Sequence, residues 1–228
     1  MGFFVMMWAM GMSLPDLVHF LIAVAVILSV HEASHALVAY YLGDPTAKVH
    51  GRLTLNPLKH FDLVGFLMLV FVHFGWGKPV PVNPGNFRHP MRDSALTALA
   101  GPVSNFALAL VLALPIRYLG TYMPGFVLAQ FWWLFDLSII WGIFNLLPVP
   151  PLDGGKILGL IVPRRYERAY MQFQSKGLIW FGAFILLDMF VIWDLIGVFV
   201  PSLVNFSVVR WIVLGGYEFV RSVILFGM

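Results

Sequence analysis

Residues 29–35 read SVHEASH and follow VHFLIAVAVIL at 18–28, a run with no acidic or strongly basic side chain. Length and apolarity mark the combined segment as a membrane span, yet it carries His31, Glu32 and His35. Burying such groups costs several kcal/mol, roughly, unless they are paired or bound to a metal. In a helix, positions i and i+4 differ by about 40° around the axis, so His31 and His35 project from one face. Two imidazoles at that spacing can hold one zinc ion, and Glu32 beside them can take a proton from water instead of binding the metal. A span rarely keeps three ionisable groups merely to pack them.

Composition agrees with the membrane reading. Of 228 residues, 60% are hydrophobic and 11% charged, against about 45–50% and about 25% in soluble domains. Mean hydropathy is +0.87. The net charge of +3 does not point to nucleic acid, because the basic residues fall between apolar runs and form no stripe interleaved with exposed aromatics. The absence of cysteine leaves any metal site to His, Asp and Glu.

The clearest spans are about 17–42, 93–116, 125–147 and 177–200. A further apolar stretch, 203–226, is interrupted by Arg210, Glu218 and Arg221, and reads as a span with an inward polar face or as an interfacial helix. The opening MGFFVMMWAMGMSLPD has no charged leader and no small-residue cleavage site, so it does not read as a signal peptide. No repeat or long linker divides the chain. The expectation is one all-α polytopic membrane domain over 1–228, with five to six transmembrane helices.

A catalytic zinc needs a third protein ligand and an open position. Val38 and Tyr41 stand where a metzincin needs Gly and His, so that pattern fails. The other glutamates are Glu167, in the basic stretch PRRYERAY, and Glu218. Asp136, Asp153, Asp188 and Asp194 all lie in or beside apolar runs, and placement alone leaves the choice open. Asp153 has one advantage: it sits between PVPP and two glycines, where the helix must break and the backbone can carry a carboxylate inward.

HEASH in the first long span, AGPVSN at 100–105 and NLLPVPPLDGG at 145–155 together resemble the signatures of the site-2 protease family of intramembrane zinc metalloproteases. GRLTLNPLKHFD at 51–62 and GWGKPVPVNPGNFR at 75–88 resemble its compact prokaryotic branch, which lacks a PDZ domain. The likeness covers about residues 17–160. It implies one zinc ion per chain held by His31, His35 and Asp153, with Glu32 as general base. It implies that Asn145 binds substrate or the developing oxyanion. It also implies hydrolysis of peptide bonds in or near transmembrane segments of membrane proteins, in a prokaryotic cell membrane, with the site nearer the cytoplasmic face. The segment between the HEASH and AGPVSN spans must then dip in and return, with 77–83 on the way back. Charge counting agrees: with 61–76 re-entrant, 43–92 and 156–176 share a side and hold eleven of the 14 basic residues.

A transmembrane substrate must be unwound before attack, and an enzyme strand offering its edge would replace the lost hydrogen bonds. KPVPVN at 78–83 can be such an edge. Pro79 and Pro81 lack N–H groups on one side, so Val80 and Val82 donate from the other. Asn105 either packs, orders the site or binds substrate. Asn56 and His60 are further candidates, while His19, His50, His73 and His89 read as structural or interfacial. A catalytically silent scaffold or a zinc or proton transporter are the rival classes. A scaffold has no need of Glu32, and a transporter should place ionisable groups along a path.

Overall fold

A computed structural model describes residues 13–72, 75–187 and 208–226. The expectations for the N-terminal apolar stretch, His73, Asp188, Asp194 and all of 188–207 lie outside these residues. Helices follow as α1 (Leu14–Tyr41), α2 (Thr46–Val49), α3 (Pro57–His60), α4 (Leu63–Val72), α5 (Pro90–Leu119), α6 (Gly125–Asn145), α7 (Asp153–Ile157), α8 (Glu167–Ser175), α9 (Gly177–Leu186) and α10 (Val208–Ile224). No strand occurs among the described residues. The fold is all-α.

The sequence SLPD starts α1. Asp16 N–H donates to Ser13 Oγ, the Ser13 N–H donates to the Asp16 carboxylate, and Pro15 stands in the first turn. Leu17, Val18, Ile22, Val26 and Leu37 face outward, as lipid requires. Beside Phe20 and Ile27, the buried side of α1 carries small or polar residues: His19, Ala23, Ser29, His31, His35, Ala36 and Ala39. Small residues let membrane helices approach closely, and α5 answers with buried Ala95, Ala98, Gly101, Ala109 and Ala113.

Three helices are long and apolar enough to cross a bilayer among the described residues: α1, α5 with its following turn, and α6. His19 Nδ1 lies 2.9 Å from Gln130 Oε1, so the starts of α1 and α6 share one end of the bundle. The end of α1 and the start of α5 share the other. There Asp44 accepts from the N–H groups of Thr46 (3.1 Å) and Asn83 (2.7 Å), from the Thr46 hydroxyl and from Asn86 Nδ2 (2.7 Å). Asp44 is fully buried by these partners.

The chain between the two tied ends therefore enters and returns. Its inward leg, α4, has ten residues; at 1.5 Å per residue that is about 15 Å, half of the roughly 30 Å hydrocarbon core. The outward leg lies against it: a Cβ on Gly65 would stand 2.0 Å from the Trp76 carbonyl oxygen. The return leg is extended but unpaired with any strand, so KPVPVN is a strap rather than a strand of a sheet.

α10 covers Val208–Ile224 of the 203–226 stretch and is not among the three helices long and apolar enough to cross a bilayer. Tyr217, Val220 and Ile224 pack on the core formed by Ala109, Leu112, Ala113, Phe135 and Ile139. Its polar face turns inward, with the Tyr217 hydroxyl donating to Asp136 (2.8 Å) and Arg221 Nε 3.6 Å from the same carboxylate. Asp136 thus pairs within the bundle. Of the expected 177–200 span, the described part is the helix α9.

Single cysteines at Lys48 and Arg88, in a chain with no native cysteine, are expected to react with an impermeant thiol reagent from the same face of the membrane. Labelling from opposite faces would mean that residues 61–76 cross.

Candidate metal centre

His31 and His35 are one helical turn apart on α1, and their rings meet edge to face with centroids 4.5 Å apart. Asp153, the first residue of α7, reaches them from the chain break that follows α6. Its Oδ2 lies 3.0 Å from His31 Nε2 and 3.2 Å from His35 Nε2. The three residues are 3, 8 and 7% exposed, and their ligand atoms all lie within 4.8 Å of one another.

Two glycine motifs make the approach possible. A Cβ on Gly101 would sit 2.5–2.6 Å from atoms of both imidazoles. Only a bare backbone lets α5 run that close beneath them. After α6 the chain breaks and folds back so tightly that a Cβ on Gly154 would lie 2.2 Å from the Leu146 carbonyl oxygen, and one on Gly155 2.7 Å from Pro150 N. The two glycines after Asp153 are what allow the carboxylate to be carried inward.

The outer nitrogens of the two rings are backed by α5. His35 Nδ1 lies 2.7 Å from the Thr97 carbonyl, which can only accept, so Nδ1 carries the hydrogen and Nε2 of the neutral ring is bare. His31 Nδ1 lies 3.1 Å from the Asn105 amide, whose Oδ1 is buried without a partner when Nδ2 faces the ring. Turning the amide end for end satisfies both Oδ1 and the His31 Nδ1–H, and bares His31 Nε2 as well. Asn105 thus orders the site from behind. Two bare nitrogens and a carboxylate oxygen at these distances repel unless a proton or a cation lies among them. A proton reaches one pair, whereas a divalent ion is shared by all three donors. Two imidazoles and a carboxylate fit a borderline-soft divalent metal, with each imidazole oriented through its second nitrogen.

The remaining candidates fall into three groups. Glu32, half-buried, follows His31 on α1, and its Oε2 accepts the Val80 N–H at 2.8 Å. The edge expected to face substrate therefore has one of its two donors on the Glu32 carboxylate, because the strap crosses α1 at Glu32. Val82, the other, forms no hydrogen bond through its N–H among the described residues. Asn145 ends α6 and donates from Nδ2 to the Trp141 carbonyl of its own helix (3.0 Å). Asn56 is exposed and caps α3, accepting from the Leu58 N–H (3.0 Å); no hydrogen bond links it to the cluster. Asn before Pro at a helix start is a capping signal readable without a structure. Two residues of consequence escaped the reading: Asp44, whose signal is the Asx turn in DPT, and Arg52, for which no local signal exists.

Gly101→Ala should leave the purified chain nearly free of metal, because the new methyl group would occupy the space of both rings. Asn105→Ala should weaken metal affinity by about 10–100-fold, the usual loss when a ligand's supporting partner is removed. Metal content by atomic absorption, over a chelator series, measures both; full retention in Gly101→Ala would contradict the close packing.

The model of peptidase family M50 matches residues 117–189. YwhC of Bacillus subtilis is 38% identical over 190 residues, covering 78% of this chain and 85% of its own length. Rip2 of Mycobacterium tuberculosis is 32% identical over 157 residues, 64% of this chain and 61% of its own length. Both are named as candidate zinc metalloproteases. No solved structure matches the chain. A bundle of apolar helices closed around a buried His–His–Asp cluster, together with the extent of the likeness to YwhC, leads to one assignment: the chain belongs to peptidase family M50, the site-2 protease family of membrane metalloproteases.

Proposed function

We propose that this chain is an intramembrane zinc endopeptidase that hydrolyses peptide bonds in or near transmembrane segments of membrane proteins. The observation that carries the reading is the convergence of His31 Nε2, His35 Nε2 and Asp153 Oδ2, both rings being backed through Nδ1, with the Glu32 carboxylate next along α1. Three ligands from the protein leave a fourth position open, as catalytic rather than structural zinc sites do.

Zinc held by these three residues would supply Lewis acidity, polarising the scissile carbonyl and making water acidic enough to lose a proton near neutral pH. Glu32 has the role of general base: one carboxylate oxygen is held by Val80, and the other accepts the proton of the attacking water and returns it to the leaving amine. Asn145 has a second Nδ2 hydrogen beyond the one on Trp141, and that donor is offered to the oxyanion or to the substrate backbone. Val82 is the strap donor left for an unwound substrate.

The location of the site suits this substrate class. His31 and His35 lie some eight residues inside the Tyr41 end of α1, about 12 Å along the axis. That depth supports a reading in which the chemistry lies within the apolar layer but close to one surface, from which the re-entrant loop would admit water. The same end carries the stretches 43–92 and 156–176, with eleven of the 14 basic residues, so the site is assigned to the cytoplasmic half of a cell membrane.

Glu32→Gln should keep one zinc per chain and lose at least ~100-fold in turnover, since an amide cannot accept the proton. Asp153→Ala should lose zinc, while Asp136→Ala keeps it. The assay pairs metal analysis with cleavage of candidate single-span proteins co-expressed with wild type and variants. Near-normal turnover by Glu32→Gln, or full metal in Asp153→Ala, would overturn the assignment of that residue.

A further inference from the structure

Arg52 is 6% exposed and forms no ion pair with a carboxylate among the described residues. Burial of an unpaired guanidinium is unfavourable, so its surroundings ask for an account. Its Nη2 donates to the Lys78 carbonyl and lies 3.4 Å from His60 Nδ1. His60 is fully buried, and its Nε2 donates to the Thr54 carbonyl at 2.8 Å, which leaves Nδ1 as an acceptor facing Arg52. The His60 carbonyl in turn accepts the Lys78 N–H at 2.9 Å. Lys78 is thus gripped on both its backbone groups, two residues before the Val80 N–H that holds Glu32. Gly77 seats the strap on α1, since a Cβ there would stand 2.6 Å from the Leu28 side chain, four residues before Glu32. The acid whose charge reaches Arg52 is Glu32 itself.

We propose that Arg52, seated by His60, is a positioning residue for the catalytic base: by gripping the Lys78 carbonyl it sets the strap so that the Val80 N–H fixes the Glu32 carboxylate. The proposal rests on the protease reading above and deepens it. A general base must meet its water within hydrogen-bond reach, and a carboxylate on a two-carbon stem rotates freely unless one oxygen is held. A backbone N–H on a chain stiffened by Pro79 and Pro81 is a fixed point. Arg52 supplies the fixed point's register.

The test uses the full-length, zinc-loaded chain in detergent and a quenched-fluorescent apolar peptide of about 25 residues, long enough to form a span. Val80→Pro removes the N–H and continues the extended Pro-rich strap; Val80→Ala keeps the N–H and controls for the side chain. Arg52→Gln removes the cationic grip, and Arg52→Lys is the conservative rescue. Val80→Pro and Arg52→Gln are each expected to lower kcat about 100-fold, the usual consequence of a small misplacement of a catalytic group. KM should stay within about threefold of wild type and zinc per chain should be unchanged. Their combination should be no worse than the poorer single variant, because both act on one contact. Val80→Ala, which keeps the N–H, should lose far less kcat than Val80→Pro, and Arg52→Lys should recover part of kcat.

A rise in KM at unchanged kcat would overturn the proposal, because it would place the Val80 N–H on substrate. So would a rise in kcat, which would make the strap an inhibitory clamp, or additive losses in the double variant. If Arg52→Gln fails to fold, shown by lost zinc, Val80→Pro and Arg52→Lys decide. Wild type that binds zinc and cuts nothing would sink the protease reading and the positioning role together. Wild type that cuts no faster than Val80→Pro would sink the positioning role alone.

Discussion

Lone pairs that point at one another at membrane depth must have a cation among them, and much of the bundle is arranged around that demand. His31 and His35 meet it because α1 keeps its helical register through SVHEASH, which stacks the two rings. α5 meets it by offering a glycine where any side chain would collide and two polar groups where the outer nitrogens need partners. The turn after α6 meets it by folding over two glycines so that Asp153 reaches both rings. None of these local features is stable for its own sake; a glycine in mid-helix weakens a helix by roughly 1 kcal/mol relative to alanine. They are consistent only with each other.

The second demand is for water, which a bundle of spans excludes. α4 and the strap answer it without exposing unpaired backbone to lipid. The inward leg is helical and satisfies itself, while on the return leg the N–H groups of Lys78, Val80 and Asn83 are taken by His60, Glu32 and Asp44, and Pro79 and Pro81 have none to place. Glu32, proposed above as the base, is therefore tied to the loop, and the loop is part of the orientation of its carboxylate.

What was legible in the sequence follows from how far each interaction reaches along the chain. The spacing of His31, Glu32 and His35 and the spans near 17–42, 93–116 and 125–147 are local and could be read directly. Asp153 depends on how a break folds back in space, and only the resemblance singled it out from Asp136, whose partners Tyr217 and Arg221 are some 80 residues away. Asn105 and Val80 were readable as polar groups near the chemistry, but not in their direction. An amide or a backbone N–H serves a ring, a base or a substrate equally well on paper, and here one backs His31 while the other holds Glu32. Arg52 reads as one more basic residue in a loop, and nothing nearby in sequence reveals that it is buried.

The knot at Asp44 carries its own dependence on acidity. Burial alone would raise the pKa of this carboxyl, but the bonds from Thr46, Asn86 and Asn83 outweigh burial and hold it below the usual carboxylate value. A group whose folded value is depressed contributes stability that is complete above the unfolded value, near 3.9, and fades as the pH falls through the folded one. The tie between the end of α1 and the start of α5 is thus indifferent to proton concentration throughout the neutral and mildly acidic range. Acidifying the solution on that side of the membrane by one or two pH units would leave the end of α1 and the strap joined by the same latch.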